Sequence, residues 1–372
     1  MNSIMRQINV TLKRMMDDSY PIMIKKDILS EIATIVQEKQ LGSKTLIVTD
    51  SNIEPLYGKL LLESLLDKGV NAYLHFFEAG EEQKNIATKL EIEKFMFENQ
   101  FGRDSLILAL GGGVVGDIAG FTAATFNRGI PYIQIPTTIV SQVDSSIGGK
   151  TAIDVPYGKN LIGAFYQPEM VLIDPMVIKT LPEKEYISGM AEVIKHAVIQ
   201  DRDLFTLLKE NLKAIESRNI SFLEEVIEKN CNIKRHVVEK DEKEGNLRKI
   251  LNFGHTIGHA VEKLMDYQML HGDCVAIGMI VEAELSQRMG HLPDVDLQEI
   301  ANLIEQFRLP VKIPGHLKLD DIYEATLLDK KSIGNDPRYS LPDTIGSMLT
   351  VDGNYGVKVD KNVVLDSIKK YL

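Results

Sequence analysis

The sequence contains no tryptophan and only two cysteines, Cys231 and Cys274, which lie far apart and form no CxxC pair. A scaffold held together by disulfides is therefore excluded, and a reducing compartment is expected. No apolar run approaches the roughly 20 residues that a membrane-spanning helix needs. The opening segment MNSIMRQINVTLKRMM alternates polar and apolar residues, unlike the apolar stretch of a signal peptide. We expect a cytoplasmic protein with no membrane partner.

An excess of basic residues is also absent. Lys and Arg number 42 against 53 Asp and Glu, which gives a formal net charge of -11. A surface that binds nucleic acid would need a basic excess, so no nucleic acid partner is expected. A small anionic ligand would instead require a local cluster of Lys and Arg within this acidic chain.

The 372 residues are more than one hydrophobic core usually serves, and the pattern of apolar residues changes near residue 180. Before it, β-branched runs alternate with amphipathic segments, which predicts an α/β domain over 1–180 with a Rossmann-like parallel sheet. After it, a mainly α-helical domain is predicted over 181–372. The predicted strands are 44–50, 71–77, 105–110, 132–136 and 170–174, with an added hairpin of INVTL and YPIMIK. The predicted helices are 55–68, 86–99, 115–125, 183–199, 203–217, 221–243, 248–265 and 273–289.

Glycines follow the predicted strand SLILAL at the point where a helix begins. Gly111, Gly113 and Gly116 satisfy the spacing GxGxxG, and backbone N–H groups at such a helix start can hold a pyrophosphate. No acidic residue follows about 20 positions later, as the usual dinucleotide fingerprint requires. A dinucleotide site and an ordinary tight turn therefore both remain open from this motif alone.

Two features near other strand ends add to the dinucleotide hypothesis. Asp50 ends a predicted strand, where its carboxylate could accept a hydrogen bond from a ribose hydroxyl. Gly80-Glu81 with Lys84 opens the helix that follows another strand. The alternative interpretations are a helix cap or turn residue for Asp50 and a solvated lysine for Lys84.

Histidines and a carboxylate form a candidate metal site. At ~100° per residue, helical geometry puts Arg248, Asn252, His255 and His259 on one polar stripe. Imidazole and carboxylate ligands suit zinc or a similar divalent ion. Spacing alone does not choose among the five candidate ligands, which are Glu192, His196, His255, His259 and His271. Cys274 could be a further ligand, or a small buried apolar residue.

A local basic cluster lies in DSSIGGKT and GKN. Arg128 precedes it, and Lys150, Lys159 and Asn160 lie within it, in what we expect to be glycine-containing loops. Lysines beside glycines can present ammonium groups and backbone donors to an oxyanion together. The cluster thus predicts an anion site, against the alternative of solvated loop lysines.

Four long segments resemble the 3-dehydroquinate synthase family: RGIPYIQIPTTIVSQVDSSIGGKTAIDVPYGKNLIGAFYQP, TLPEKEYISGMAEVIKHAV, LNFGHTIGHAVE and LHGDCVAIGM. The resemblance runs from Asp50 to the DKK at 329–331. LPDTIGS departs from the family pattern, because an apolar pair is expected before its Ile-Gly. That departure puts the local strand assignment in doubt.

The resemblance implies roles for residues at matching positions. Glu192, His255 and His271 would bind the metal, with zinc the expected ion and cobalt an alternative, and His259 would act in proton transfer. The implied substrate residues are Arg128, Asp144, Lys150, Lys159, Asn160, Lys195, Lys234, Glu244, Arg248, Asn252, His259 and one of Lys330 and Lys331. The implied NAD contacts are Asp50, Glu81, Lys84, Gly112, Gly113, Asp117, Thr137 and Thr138. A homodimer is also implied.

The implied reaction converts 3-deoxy-D-arabino-heptulosonate 7-phosphate into 3-dehydroquinate. Oxidation at C5 would acidify the C6 proton, phosphate would leave, the hydride would return, and an aldol reaction would close the carbocycle. The alternatives are another sugar phosphate cyclase, of the aminodehydroquinate or inosose type, and an NAD- and metal-dependent polyol dehydrogenase. A dehydrogenase would have no reason for Arg128, Lys150 and Lys159. A catalytically silent binding subunit would lack a metal ligand or Lys150, and none is missing.

Overall fold

A computed structural model describes residues 17–327 and 337–372. Ten strands lie in these ranges: β1 Ile22–Ile24, β2 Lys44–Asp50, β3 Ala72–Phe77, β4 Ser105–Gly111, β5 Tyr132–Pro136, β6 Lys150–Val155, β7 Gly158–Phe165, β8 Met170–Ile173, β9 Pro342–Thr344 and β10 Ser347–Met348. Six of them form one sheet in the order β1-β8-β5-β4-β2-β3, with every pair parallel. The predicted parallel sheet is confirmed.

Four helices accompany the sheet: α1 Ile32–Lys39, α2 Lys59–Asp67, α3 Ile86–Glu98 and α4 Gly113–Thr125. The remainder is mainly helical, as predicted: α5 Glu183–Gln200, α6 Arg202–Glu210, α7 Leu212–Glu216, α8 Ile220–Lys240, α9 His255–Leu264, α10 His271–Arg288, α11 Asp294–Gln306, α12 Leu319–Leu327 and α13 Lys361–Lys370. Among the described residues, no helix combines the length and the apolar character that a membrane span requires.

The sheet is covered on both faces because its strands are apolar on both. Alternate residues of β4 point to opposite sides, so Leu106 and Leu108 pack with α1 and α2, whereas Ile107 and Ala109 pack with α3 and α4. Near-continuous apolar runs are typical of parallel strands. This burial explains why the sequence predicts these strands so closely.

The structure describes only the second of the two strands that were predicted to form an N-terminal hairpin. INVTL lies outside the described residues, while Ile22–Ile24 forms an edge strand parallel to β8. The domain boundary near residue 180 stays a prediction. The largest apolar cluster of the described residues extends across it, because Ile139 and Val171 pack with helices of the second half of the chain.

The predicted loops that carry the basic cluster are wrong. Strands β6 and β7 form an antiparallel hairpin in which Lys150 is paired with Phe165 and Val155 with Gly158. The runs KTAIDV and NLIGAF contain the β-branched and aromatic residues that favour strands. Lys150, Lys159 and Asn160 are therefore fixed on a hairpin.

The predicted helix over 248–265 is also wrong. A 3-10 helix spans Leu247–Asn252, Phe253 is extended with ψ 128°, and Gly254 has φ 79°. This left-handed conformation suits glycine and interrupts the helix, so α9 begins only at His255. A Cβ on Gly254 would also lie 2.7 Å from the carbonyl oxygen of Val275. The stripe therefore splits, with Arg248 and Asn252 in the 3-10 helix and His255 and His259 in α9.

Candidate active site

The candidate cofactor pocket lies between β2 and β4. At this point the order in which successive strands are added to the sheet reverses, because β3 lies on one side of β2 and β4 on the other. The β2–β3 connection carries α2 on one face, and the following connections carry α3 and α4 on the other. Such a switch point leaves a crevice at the carboxyl ends of the central strands. Asp50 ends β2 and Gly111 ends β4, so both lie at this edge.

Three glycines line the turn from β4 into α4. Gly112 precedes the helix and Gly113 is its first residue. A Cβ on Gly112 would lie 3.1 Å from the Thr138 side chain, and one on Gly113 would lie 3.3 Å from Ser145 Oγ. Larger residues would thus crowd the start of α4, where exposed N–H groups attract a phosphate. Gly116 instead allows the close packing of α4 on the sheet, against Gln134.

Asp50 and Thr137 offer acceptor and donor groups at the same edge. One oxygen of Asp50 accepts backbone hydrogen bonds from Asn52 and Ile53, at 2.9 and 3.0 Å. The turn role that was the alternative for Asp50 is therefore present. Thr137 Oγ1 is buried without a hydrogen bond among the described residues, while Thr138 Oγ1 lies 2.9 Å from Ser141 Oγ.

Lys84 is buried beside Asp117, with its ammonium nitrogen 2.6 Å from a carboxylate oxygen. Glu81 lies 3.9 Å from the same ammonium group. Burial alone would lower the pKa of Lys84, but Asp117 and Glu81 raise it above its usual value. Lys84 is consequently a fixed cation and not the solvated lysine of the alternative interpretation.

The candidate metal centre joins three helices. Glu192 comes from α5, and His255 and His271 are the first residues of α9 and α10. One carboxylate oxygen of Glu192 lies 3.4 Å from His255 Nε2 and 3.5 Å from His271 Nε2. Three potential ligand atoms therefore converge on one point.

The residues at this point fit a divalent cation. Both oxygens of Glu192 are buried and lack a hydrogen bond to any described residue, although Lys195 forms an ion pair with one of them. His255 Nδ1 lies 3.1 Å from the carbonyl oxygen of Phe253, which can only accept, so Nδ1 carries the proton and Nε2 has a free lone pair. A buried carboxylate that faces the Nε2 atoms of two imidazole rings is a suitable donor set for zinc.

Charges around the centre shift the protonation of its members. Burial alone would raise the pKa of Glu192, but the charge of Lys195 holds it well below its usual range. Burial lowers the pKa of His255 to about 3. Burial would also lower the pKa of His271, yet its carboxylate neighbours, Glu192 and Glu262, raise it to about 10.

Two other groupings in the described chain could also hold a metal: His259 with Glu262 and His271, and Asp144 with Glu192 and His196. The ring of His259 lies 5.2 Å from that of His255, which keeps it beside the centre. His196 is fully buried and lies 3.1 Å from Asn230 Oδ1. Cys274 is buried and belongs to none of the candidate groupings among the described residues.

Asp144 binds two lysines. Lys234 forms an ion pair with one of its oxygens, and Lys195 lies 3.6 Å from the other. Burial alone would raise the pKa of Asp144, but the two lysines hold it well below its usual range. Burial also lowers the pKa of Lys234 to about 8, against the attraction of Asp144. Lys195 therefore connects this group with Glu192 of the metal centre.

A second polar group surrounds the end of the β6–β7 hairpin. Lys150 forms an ion pair with Glu244, whose other oxygen accepts a 2.7 Å hydrogen bond from Asn252. Arg248 is buried and donates a 3.1 Å hydrogen bond to the carbonyl oxygen of Gly148. The hairpin and the segment before α9 are thus held together by residues predicted to bind substrate.

Lys159 joins the cofactor edge to the metal centre. Its ammonium group lies 3.2 Å from Glu81 and 2.9 Å from Glu262, and it lies over the ring of Tyr267. Glu262 belongs to the site although it is not among the residues predicted from the sequence. The signal was available, because Glu262 continues the face of His255 and His259 by one more turn.

Some predicted substrate residues are not brought into these groups. Arg128 is exposed on the 3-10 helix that follows α4 and forms no ion pair with a described residue. Asn160 is exposed with φ 55°, and its backbone N–H donates to Asp154 at 2.8 Å. Lys330 and Lys331 lie outside the described residues.

Comparisons with protein families cover most of the chain. Residues 74–188 match the family model of the 3-dehydroquinate synthase N-terminal region, and residues 189–332 match that of its C-terminal region. The 3-dehydroquinate synthase of Desulforamulus reducens is 46% identical over 331 residues, which is 89% of this chain and 92% of the relative.

Solved structures share the fold. The 2-epi-5-epi-valiolone synthase of Streptomyces hygroscopicus subsp. jinggangensis, with NAD+ and Zn2+ bound, has a TM-score of 0.87 and 26% identity, covering 97% of this chain and 99% of its own. A 2-deoxy-scyllo-inosose synthase complexed with carbaglucose-6-phosphate, NAD+ and Co2+ has a TM-score of 0.83 and 24% identity, covering 94% of this chain and 96% of its own. The second likeness shows the fold alone.

Proposed function

The chain belongs to the 3-dehydroquinate synthase family, and from this membership we propose how the residues described above carry out the family's reaction. The chain converts 3-deoxy-D-arabino-heptulosonate 7-phosphate into 3-dehydroquinate and phosphate. It is therefore a carbon–oxygen lyase that acts on a phosphate ester, with NAD and a divalent metal as cofactors.

The main structural support for this function is that lysines lie on both sides of the metal centre. Lys195 binds Glu192 directly, and Lys159 reaches His271 through Glu262. An NAD- and metal-dependent dehydrogenase acting on a neutral polyol would have no use for this positive charge. A substrate with a phosphate and a carboxylate needs it.

We assign the metal to Glu192, His255 and His271, with zinc as the expected ion and cobalt as the alternative. When bound, the metal would lower the pKa of a substrate hydroxyl and polarise the carbonyl formed from it. The protein contributes the orientation of His255 through the carbonyl group of Phe253 and the charge balance through Lys195.

We assign NAD to the edge of the sheet. The assigned residues are Asp50, Glu81, Lys84, Gly112, Gly113, Asp117, Thr137 and Thr138. When bound, NAD would accept the hydride from C5 of the substrate and later return it. The start of α4 would hold the pyrophosphate through backbone N–H groups, since Gly112 and Gly113 leave room for it.

The cations would hold the two anionic ends of the substrate. We assign this role to Lys150, Lys159, Lys195, Lys234 and Arg248, which are ion-paired or hydrogen-bonded within the site. The departing phosphate would take the C6 proton itself, so the protein mainly supplies orientation and fixed charge at that step. His259 would move a proton in a later step. Glu244 and Asn252 would position Lys150.

Two further observations concern the compartment and the assembly of the chain. Both cysteines are free and buried, which supports a reducing compartment such as the cytoplasm. A homodimer is supported by exposed apolar side chains on β7, where Leu161, Ile162 and Phe165 are about half exposed. Such a patch favours burial against another surface.

The test supplies purified, metal-loaded protein with NAD and the heptulosonate phosphate. Phosphate release with formation of the carbocycle, without accumulation of NADH, is expected. Lys150→Ala and His271→Ala should abolish both products. NAD reduction by a simple polyol, together with inactivity on the heptulosonate phosphate, would replace the assignment with a dehydrogenase.

A further inference from the structure

We propose that Glu262 is a positioning residue that orients the metal ligand His271 and, through the same oxygen, the substrate lysine Lys159. Its Oε1 atom lies 3.6 Å from His271 Nδ1 and 2.9 Å from Lys159 Nζ. The proposal rests on the metal ligands assigned above, and none of those assignments includes Glu262.

The two metal-binding histidines have matching arrangements. In each ring, Nε2 faces the same oxygen of Glu192, at 3.4 Å for His255 and 3.5 Å for His271. The Nδ1 atom of His255 faces the carbonyl oxygen of Phe253, whereas Nδ1 of His271 faces Glu262. A ligand histidine generally needs such a partner, which fixes the ring and its tautomer. Glu262 thus has for His271 the role that the backbone has for His255.

The environment of Glu262 makes this orientation firm. Its side chain is 4% exposed, so its charge is weakly screened by water. The 2.9 Å ion pair with Lys159 holds the carboxylate in this position. Lys159, His271 and the nearby His259 are all site residues, so Glu262 serves the site directly.

The same oxygen transmits position between two parts of the site. Lys159 lies on β7 and also contacts Glu81 at the cofactor edge, while His271 begins α10. A change at Glu262 should therefore disturb metal binding and the placement of Lys159 together. A residue with only a structural role would change the free energy of unfolding without changing metal affinity.

The experiment measures zinc affinity by competition with a chelator, in protein without NAD or substrate. The cobalt-loaded protein is compared by its visible absorption spectrum, which reports the ligands around the ion. We expect Glu262→Gln to weaken zinc binding by about 10- to 100-fold and to change the cobalt spectrum. Glu262→Asp keeps the charge but moves the carboxylate away from His271 by the length of one methylene group, so weaker zinc binding is expected in this variant too. If Glu262→Gln does not fold, Glu262→Asp tests the proposal in its place.

Glu284→Gln is the matched control. Glu284 is as buried as Glu262, at 3% exposed, but it pairs with Arg288 and Lys370 away from the metal centre. Its substitution should leave zinc affinity within about twofold of that of the original protein. This change is much smaller than the loss of affinity expected when a metal ligand loses its hydrogen-bond partner. Equal zinc affinity in Glu262→Gln and the original protein, or an equal loss in Glu284→Gln, would overturn the proposal.

A further variant separates this proposal from the function on which it rests. Glu192→Gln should abolish binding of one zinc ion per chain. If the original protein bound zinc no better than Glu192→Gln, the assigned metal centre itself would be wrong and the proposal would fall with it. If Glu192→Gln lost zinc but Glu262→Gln did not, only the positioning role would be wrong.

Discussion

The carboxylate of Glu282 accepts a 2.7 Å hydrogen bond from the backbone N–H of Gly254. Its other oxygen accepts from the N–H groups of Thr256 and Ile257, at 3.0 and 3.1 Å. Glu282 is fully buried on α10, so it satisfies the free N–H groups at the start of α9 from a neighbouring helix. The position of His255, the first residue of α9, therefore depends on Glu282.

Glu282→Gln should destabilise this helix start. The amide group replaces one acceptor oxygen, so at least one buried N–H group loses its partner. We expect the free energy of unfolding to fall by about 1–3 kcal/mol, measured with a denaturant, and zinc affinity to weaken. Glu299→Gln is the control, because its ion pair with Lys209 is partly exposed and should contribute little. A Glu282→Gln variant of unchanged stability would contradict the role of Glu282.

The ion pair of Lys84 and Asp117 leads to a second prediction. Lys84→Met would leave Asp117, whose side chain is 15% exposed, without its 2.6 Å cation, which should lower the free energy of unfolding by about 3–5 kcal/mol. NAD affinity, measured by calorimetry, should fall as well. Lys94→Met is the control, since the pair of Lys94 with Glu98 is 73% and 63% exposed and should contribute below about 1 kcal/mol. Unchanged NAD affinity in Lys84→Met would remove Lys84 from the cofactor site.

The strands of the sheet could be predicted because burial on both faces makes them continuously apolar. Strand β4 is buried along its whole length, and the predicted strand 105–110 differs from it only by omitting the last residue, Gly111. The β6–β7 hairpin was missed because β7 is largely exposed, and its lysine and glycine residues suggested loops. The sequence pattern thus reports burial more directly than it reports hydrogen bonding.

The candidate site shows a different limit. Counting turns across Gly254 put Arg248 and His255 on one helix, yet the left-handed glycine separates them. Arg248 still contributes to the site. From the 3-10 helix before α9, its guanidinium group donates a hydrogen bond to the carbonyl oxygen of Gly148. Periodicity cannot show such contacts across the chain, and most of the site residues were named through the family resemblance.

Removal of the metal should lower stability as well as activity. A ligand that binds only the folded state stabilises it, by about 2.7 kcal/mol at 100 times its dissociation constant. Chelator-treated protein should therefore unfold at a lower temperature, and zinc or cobalt should restore both properties. His255→Ala removes a proposed ligand, so its unfolding temperature should respond little to zinc. An equal response in this variant would contradict the assigned ligand.

Asp296 leads to a prediction about pH far from the site. It accepts a 2.9 Å hydrogen bond from the backbone N–H of Ile345 and another from Thr344, and so holds the turn between β9 and β10 in the segment that departs from the family pattern. Burial alone would raise the pKa of Asp296, but these hydrogen bonds lower it below its usual value. The stabilisation is therefore present above the unfolded pKa of about 3.9 and is lost as the pH falls through the lower folded value.

Asp296→Asn should accordingly lower the free energy of unfolding at pH 7 by about 1–3 kcal/mol, because an amide accepts these hydrogen bonds less well than a carboxylate. The difference from the original protein should narrow between about pH 4 and pH 3, where the carboxylate of the unfolded chain becomes protonated. Urea unfolding across this range measures it. Asp366→Asn is the control, since Asp366 is exposed on α13 and should follow the original protein at each pH. A difference that stays constant down to pH 3 would show that Asp296 acts through its shape and not through its charge.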